Sequence, residues 1–430
     1  MVLLLGLAGK EALSHQRTYS PVEKRELQTR PEISITKVLD GRFQKKYESY
    51  LRDQFPGRDH WVSFQTDMEL FMGKNEIHNV YIGKNHYLLE HYTEKEFDPQ
   101  QISKNLQALE KFVGKAKQNA DVHVMMVPTK SWVLREKLPA FAPHYKEQKF
   151  YDALQQKLEK EDVLISVEPV LDAHKEEEIY YRTDHHWTTL GAWYAYEQYT
   201  KAGGGDLQRA QGKKKFRCIS KDFYGTTYAK INYARQADKI EIYEPADKLR
   251  VVYNMGEKKT KTLYDFSFLK TADQYSVFTG GNQAVLEITG GIKNGKTLLL
   301  IKDSFANSIL PFLAEDYEKL VVVDLRQLNV SGDRLLEMFS PTDILILYNS
   351  AQFAQDKEFE IKCNKYIVSQ RTGLGGSIRY VFSAFQIGYG TEVNGSRQFF
   401  LIGICDQQSC FRFIAQKPTF DNYDRCGCFF

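Results

Sequence analysis

The chain has 430 residues, of which 42% are hydrophobic and 13% aromatic, so it can bury a large core and belongs to the globular rather than the disordered class. Its formal net charge is only +3, and so small a charge gives no reason to expect a nucleic-acid partner. This length allows one large domain with appendages or two domains of ordinary size.

Residues 1–34 begin with a short apolar run from Val2 to Ala8. The run is much shorter than the roughly 20 residues that cross a bilayer, and no basic segment precedes it. Two interpretations remain open: an ordinary apolar segment, or the end of an export or anchor helix that starts upstream of Met1. We therefore treat residues 1–34 as a separate N-terminal segment.

Residues 35–98 form the next predicted unit. The stretch DGRFQKKYESYLRDQFPGRDHW has the spacing of an amphipathic helix that stops at Pro56 and Gly57, and a second helical stretch follows it. The stretch NVYIGKNHYLLE then alternates like a short strand. The sequence thus predicts a small, largely helical unit here.

From about Pro99 to residue 356, helices alternate with buried strands. Helical spacing covers 101–118 and the region around 145–159. The strands have the sequences VHVMMVP, DVLISV, KTLLLIKD, KLVVVDL and DILILY. Such an alternation is typical of an α/β fold with a parallel sheet covered on both faces.

Residues 357–430 have a different character. They are rich in Phe, Tyr and Gly, lack a clear helical period and hold five of the six cysteines, the sixth being Cys218. The cysteine spacings do not form the paired two-residue gaps that structural zinc sites favour. The body of the chain, residues 1–356, has one cysteine. This fits an exported protein without disulfides and equally a cytosolic protein. We interpret this tail as atypical and expect the body to keep its stability without it.

Ser304 follows a buried strand in LLLIKDSFANSILPFL and precedes a segment, 306–314, that can be helical until Pro311 perturbs it. A serine at the carboxyl edge of a parallel strand, in front of a helix N-terminus, lies where backbone N–H groups and the helix dipole stabilise an oxyanion. The alternative is that Ser304 simply caps the following helix.

The stretch RTDHHWTTLGAW supplies the groups that a nucleophilic serine needs, a base and a carboxylate that orients it. Asp184 and His186 lie two residues apart in a loop that leads into a helix near Thr188, so one turn can present both, while His185 points elsewhere. The alternatives are a capping role for Asp184, with ordinary loop histidines, and a metal site. A third ligand with suitable spacing is not evident, so we predict neither a metal nor a cofactor.

At these residues the sequence resembles the DHHW proteins of bacteria, relatives of the alginate O-acetyltransferases within the SGNH-hydrolase-like group. The resemblance rests on DGRFQKKYESYLRDQFPGRD, YIGKNHYLL, VPTK, DHHW, FTGGNQ, PFL and ILILYN, in that order. It implies an SGNH-hydrolase-like three-layer fold with a parallel sheet over residues 99–356, preceded by a small helical segment. Members carry an N-terminal membrane anchor, from which the short apolar start departs.

The resemblance also implies the roles of the site residues. Ser304 is the nucleophile, His186 the general base and Asp184 the group that holds the imidazole, so that an acetyl group passes through an acyl-serine to a sugar hydroxyl or to water. The expected oxyanion donors are the N–H of Ser304 and, in FTGGNQ, Gly281 or Asn282.

Tyr181 and Trp187, beside this element, either stack on sugar rings or pack in the core.

The expected function is that of an extracytoplasmic O-acetyltransferase or acetylesterase acting on a cell-envelope or exported polysaccharide. The expected partners are the polysaccharide acceptor and a membrane-bound acyltransferase that supplies acetyl groups. The expected location is the cell envelope, in association with the membrane. The alternative is a non-catalytic carbohydrate-binding or scaffolding component of a polysaccharide export or modification complex.

Overall fold

The computed structural model describes residues 16–210, 212, 215–364, 405–406 and 409–410. The chain divides into two compact units, Met1–Val368 and Ser369–Phe430. The second unit contributes one described strand pair, Cys405–Asp406 with Ser409–Cys410. The interpretations of the apolar start and of most of the tail lie outside the described residues. Within the described part of the chain, no helix combines the length and the hydropathy that a membrane-spanning segment requires.

A seven-stranded sheet forms the core of the first unit. In chain order its strands are β1 (Asp121–Val127), β2 (Arg250–Tyr253), β3 (Lys258–Thr260), β4 (Val285–Thr289), β5 (Thr297–Lys302), β6 (Lys319–Val323) and β7 (Asp343–Asn349). They lie side by side in the order β3-β2-β4-β6-β5-β7-β1. Neighbours from β6 to β1 are parallel, whereas β4, β2 and β3 extend the sheet by antiparallel pairing, which the sequence did not predict.

Both faces of this sheet are buried, as the hydrophobic runs of its strands predict. Along β5, Leu298 and Leu300 join one hydrophobic cluster and Leu299 and Ile301 the other, because successive side chains point to opposite faces. The three-layer α/β fold is therefore confirmed. The first face is covered by Lys130–Val133, Glu168–Ala173, Thr189–Lys201, Leu207–Ala210 and Leu310–Leu313, and the second by Pro99–Ala116, Gln148–Leu158, Gly332–Phe339, Ser350–Gln355 and Lys357–Asn364.

The part of the chain before this sheet is small and largely helical, as expected. A glycine precedes each of its two longer helices in the left-handed region, Gly41 with φ 76° and Gly57 with φ 71°, so the predicted break at Pro56 and Gly57 is correct. Its described elements are the strand pair Tyr19–Ser20 and Arg25–Glu26, the helices Ile35–Leu39, Arg42–Asp53 and Arg58–Phe71, and the strands Glu76–Ile77, Val80–Ile82 and Leu88–Glu90. The predicted boundaries at residues 34 and 98 stay predictions.

The remaining elements connect the sheet to its loops. The predicted strand DVLISV is reduced to one parallel bridge between Leu164 and Val124, because a helix with Pro169 in its first turn begins at Glu168. The remaining regular elements are the paired strands Arg217–Phe223 and Asp238–Ile242, the helix Thr226–Ile231, and the 3-10 turns Lys84–His86, Arg135–Lys137, Asn254–Gly256, Phe266–Lys270, Gln274–Phe278 and Ser304–Ser308.

The boundary predicted near residue 356 lies too early. The helix Lys357–Asn364 places Phe359 in the hydrophobic cluster with 0% exposure, and the Lys362 ammonium donates a hydrogen bond to the carbonyl of Leu325. Removal of every residue after Gln355 would take this packing away. The expectation that such a truncation leaves the body equally stable is therefore not supported.

We predict that Phe359→Ala lowers the free energy of unfolding by about 3–5 kcal/mol, the usual cost of emptying a buried phenylalanine site. Ile361→Ala, on the half-exposed face of the same helix, is the control and should change it by no more than about 0.5 kcal/mol. Urea unfolding measures both values. Equal, small effects of the two substitutions would show that this helix does not pack on the core.

Candidate active site

Asp303 fixes the carboxyl end of β5 at the edge of the sheet. One carboxylate oxygen accepts a hydrogen bond from the N–H of Asn349 at 2.8 Å, and the other accepts one from the N–H of Phe305 at 2.9 Å. The Asn349 amide donates in turn to the carbonyl of Val127 at 3.1 Å, so the ends of β5, β7 and β1 are tied together. Asp303 is thus the capping residue of the turn Ser304–Ser308, which leaves the Ser304 side chain free for another role.

The side chains of Ser304, His186 and Asp184 form a continuous line of hydrogen bonds. The Ser304 hydroxyl lies 2.8 Å from Nε2 of His186, within hydrogen-bonding distance, and Nδ1 of His186 lies 2.5 Å from Oδ1 of Asp184. Because a carboxylate only accepts, Nδ1 carries the proton and Nε2 is left to accept from the serine. This is the arrangement in which an imidazole can remove the serine proton.

The second oxygen of Asp184 is held by the start of another helix. Thr226, the first residue of Thr226–Ile231, donates to Oδ2 from its N–H at 2.7 Å and from its hydroxyl at 2.9 Å. Burial alone would raise the pKa of Asp184, but the facing His186 and His185 and these hydrogen bonds outweigh it and hold the pKa well below its usual range. Asp184 is therefore a buried, ionised carboxylate.

His185 lies against the ring of His186, with 3.9 Å between the ring centroids. Its Nδ1 is 2.6 Å from the hydroxyl of Thr226, so it contacts the group that holds Asp184 rather than pointing elsewhere. Donor atoms of Asp184, His185 and His186 lie within 4.8 Å of one another, so a third candidate metal ligand is present after all. Nδ1 of each histidine, however, is already engaged by a protein oxygen.

Burial, with the charge of His185 next, lowers the pKa of His186 to about 4 despite the opposing effect of Asp184. The ring is therefore neutral and able to accept a proton at neutral pH. Tyr275 stacks on it, with centroids 3.8 Å apart and planes 9° apart, and donates from its hydroxyl to the Ser304 carbonyl at 3.1 Å. Sequence reasoning missed Tyr275, which lies in a short turn without a motif that marks it.

Lys130 holds the loop that carries the aspartate and the histidine. Its buried ammonium donates to the carbonyls of Tyr181, Arg182 and Asp184 at 3.1, 3.3 and 2.7 Å. Burial lowers the pKa of Lys130 to about 8, so it is still mostly charged at neutral pH. In the sequence, VPTK is only part of the resemblance. Its position directly after β1 is the signal that could have identified Lys130.

Trp187 and Tyr181 belong to the core. They are 0% and 1% exposed, and the Trp187 indole N–H donates to the carbonyl of Phe305 at 2.8 Å. Tyr181 packs edge-on against Phe223 with centroids 5.1 Å apart. Of the two alternatives for these aromatic side chains, packing is the one that the structure contains, because neither ring offers a face to a sugar.

The predicted oxyanion donors are not equivalent. The N–H of Gly281 is already donated to the carbonyl of Ser276 at 3.2 Å, so Gly281 does not present a free donor, contrary to the expectation. Asn282 is exposed. Ser304 begins its turn, and an N–H at that position has no acceptor within the helix itself. The Ser304 N–H is therefore the predicted donor with the best support.

We predict that His186 titrates with a pKa of about 4 rather than the usual 6.5 or so. The ring is neutral above that pH and charges as the pH falls through it, so it can act as a base only above about pH 4. His185→Gln should raise this pKa, because the charge that helps to lower it is removed. NMR titration of the His186 ring measures both, with the exposed His60→Gln as control.

A second prediction concerns Gly225, where an added Cβ would overlap the Asp184 side chain. Its φ of −90° and ψ of −162° suit any residue, so Gly225→Ala tests the close approach alone. We expect a loss of about 1–3 kcal/mol, as for overpacked sites, and slower reaction of Ser304 with a sulfonyl fluoride. Gly114→Ala, in a helix with open space, is the control and should stabilise by about 0.5–1 kcal/mol. Equal changes in stability for Gly225→Ala and Gly114→Ala would show that Gly225 does not lie in close contact with the Asp184 side chain.

Comparisons with known proteins identify related chains. The DHHW protein family matches residues 102–323, which include Asp184, His186 and Ser304. A probable alginate O-acetylase, AlgJ of Pseudomonas syringae pv. tomato, is 30% identical over 177 residues, which are 38% of this chain and 43% of AlgJ. The chain thus matches less than half the length of this relative.

Two solved structures share the fold. A DHHW family protein from Eubacterium siraeum superposes with a TM-score of 0.53 at 22% identity and covers 67% of this chain and 96% of its own. Bacillus cereus PatB1 with a sulfonyl adduct gives 0.52 at 20% identity, with 67% and 99% coverage. Since the family match spans more than half of the chain and the fold agrees, this chain belongs to the DHHW protein family.

Proposed function

We propose that this protein is an extracytoplasmic, serine-dependent O-acetyltransferase or acetylesterase of the SGNH type that acts on a cell-envelope or exported polysaccharide. The observation that carries the proposal is the line of hydrogen bonds from Asp184 through His186 to Ser304, at the carboxyl edge of the sheet. A hydroxyl with a neutral imidazole 2.8 Å away, oriented by a buried carboxylate, is equipped for attack on an ester.

In the first half of the reaction, the Ser304 oxygen forms a bond with the acetyl carbonyl carbon while its proton moves to Nε2 of His186. The tetrahedral oxyanion then collapses, the bond to the donor oxygen breaks, and His186 returns the proton to that oxygen. Acetyl-Ser304 remains. In the second half, a sugar hydroxyl or water gives its proton to His186 and attacks the acetyl group, and Ser304 leaves with the proton.

The surroundings of His186 favour this proton transfer. Asp184 accepts from Nδ1 and so stabilises the imidazolium that forms during attack. The face of the Tyr275 ring lies on the same imidazole, and an aromatic face attracts a cation. Both interactions are stronger with the charged ring than with the neutral one, so they favour the transition state over the resting enzyme.

Acetyl as the transferred group is supported by the similarity to AlgJ, a probable alginate O-acetylase, within the matched residues. A polysaccharide acceptor agrees with the alginate in the name of that relative. A membrane-bound acyltransferase as acetyl source and an envelope location are further parts of the proposal, carried over from the family resemblance. A small acyl group such as acetyl also suits this site, because the base His186 and the carboxylate of Asp184 are buried and only Ser304 is partly exposed.

We predict that Ser304→Ala abolishes covalent labelling by a sulfonyl fluoride and lowers hydrolysis of a small acetyl ester at least about 1000-fold, because a triad without its nucleophile keeps only residual catalysis. Ser308→Ala, buried in the same turn, is the matched control and should retain both properties. Circular dichroism and the melting temperature should be unchanged in the first variant. Mass spectrometry of the labelled peptide identifies the modified residue.

The same measurement separates the enzyme from a non-catalytic carbohydrate-binding or scaffolding component. A scaffold would leave the wild-type chain unlabelled and inactive on the ester, although it could still bind the polysaccharide. Labelling at another residue, or activity that survives Ser304→Ala, would assign the chemistry to a different nucleophile.

A further inference from the structure

The exposed hydrophobic residues of the described chain are concentrated in one segment. Of the 19 large hydrophobic side chains that are exposed, 12 lie between residues 33 and 72. Single exposed hydrophobic residues are common, but many in one segment indicate an interaction site. The 12 are Ile33, Ile35, Val38, Leu39, Tyr47, Leu51, Phe55, Trp61, Phe64, Met68, Phe71 and Met72.

The helix Arg58–Phe71 presents an apolar seam to solvent. Trp61, Phe64, Met68 and Phe71 are 60%, 56%, 40% and 85% exposed. Their spacing of three, four and three residues is that of the a and d positions through which one helix packs against another. The opposite side of the helix is attached to the body, where the buried Thr66 hydroxyl donates to the carbonyl of Ile231 at 2.8 Å. The seam is thus an exposed apolar face with the residue spacing of a helix–helix contact.

The preceding helix, Arg42–Asp53, offers a second exposed apolar stripe. Tyr47 and Leu51 are 36% and 42% exposed, and Phe43 stacks on Tyr47 with centroids 5.6 Å apart. Pro56 and Gly57 separate the two helices, which make almost no contact with each other. Arg42–Asp53 contacts the short helix Ile35–Leu39, and Arg58–Phe71 contacts Thr226–Ile231, but within the described residues both apolar stripes remain exposed.

The two helices carry opposite charge. Arg42–Asp53 has four basic and two acidic residues, a net charge of +2, whereas Arg58–Phe71 has three acidic residues and one arginine, a net charge of −2. The acidic helix is poorly suited to an anionic lipid surface but complements the basic helix of another molecule. The same chain thus supplies both halves of a complementary contact.

We propose that these two helices form the interface of a homodimer, in which Arg42–Asp53 of each copy lies along Arg58–Phe71 of the other. Two-fold symmetry makes the contact twice, so each stripe meets its complement and none is left exposed. Aromatic side chains bury about 150–250 Å² each, so the exposed fractions on the two helices and their linker, with Leu51 and Met68 counted alike, amount to roughly 550–900 Å² per copy. A standard interface buries about 800 Å² on each partner. The proposal is independent of the proposed chemistry.

Sedimentation of the full chain over a wide range of concentrations tests the dimer. We expect twice the mass of one chain, and a dissociation constant raised at least about 30-fold in Trp61→Glu with Phe64→Glu, since central aromatic anchors contribute about 2 kcal/mol or more. Phe141→Glu, fully exposed outside the two helices, is the control and should leave the dimer intact. Circular dichroism and the melting temperature report whether each variant is folded.

Charge reversal tests the pairing itself. Lys45→Glu with Lys46→Glu gives a chain with two acidic helices, and Asp67→Lys with Glu69→Lys gives a chain with two basic ones. Each variant alone should be monomeric, whereas an equal mixture should form a heterodimer, because both of its contacts join unlike charges. A mixture that stays monomeric would overturn the pairing.

A wild-type chain that stays monomeric at every concentration would also overturn the proposal. Co-sedimentation of that monomer with vesicles of phosphatidylcholine and phosphatidylglycerol, lost in Trp61→Glu with Phe64→Glu, would assign the surface to a membrane instead. This outcome is distinguishable from a failure of the proposed chemistry, because neither measurement uses Ser304.

Discussion

The buried carboxylate of Asp184 is the group on which the rest of the site depends. A charge removed from water is costly unless hydrogen bonds replace its hydration, and here both oxygens are engaged, one by His186 and the other by Thr226. The tautomer of His186, and with it the direction of the hydrogen bond from Ser304, follows from this carboxylate. Removing the hydrogen-bond partners of Asp184 would therefore change the base His186 directly, and the nucleophile Ser304 only through that base.

The loop that carries Asp184 is held from two sides by opposite charges. The ammonium of Lys130 donates hydrogen bonds to three of its carbonyl groups, while the carboxylate of Asp238 accepts from the N–H groups of Arg182 and Thr183, both at 2.7 Å. Burial raises the pKa of Asp238, and its hydrogen bonds with the loop oppose that rise. Backbone groups that no helix or strand satisfies are thus paired with buried charges, which fixes an irregular loop as firmly as regular structure would.

Local sequence patterns were sufficient for the elements that depend on near neighbours. The four parallel strands β1, β5, β6 and β7, the break at Pro56 and Gly57, and the placement of Ser304 after β5 follow from hydrophobic runs and turn residues. The partners of the site were not predictable in this way. Tyr275 and Thr226 reach it from segments whose sequence has no motif, and their roles exist only once the chain has folded.

The same limit explains why the roles of other candidate residues stayed open or differ from the expectation. Tyr181 and Trp187 were candidates for sugar binding because aromatic residues serve equally for stacking and for packing, and only burial distinguishes the two. Gly281 was a candidate donor because a sequence does not show which N–H groups a turn has already used.

Exposure also separates the roles within the site. Asp184 and His186 are buried, whereas Ser304 is partly exposed. A base shielded from water keeps its lowered pKa, and a nucleophile at the surface can meet a group carried by a large molecule. Since the surrounding aromatic residues are in the core, a polysaccharide acceptor would have to approach Ser304 from outside and be recognised by residues beyond the DHHW element. If the proposed acetyl transfer is correct, the element supplies its chemistry, and specificity for the acceptor is to be sought in the exposed loops around the carboxyl edge of the sheet.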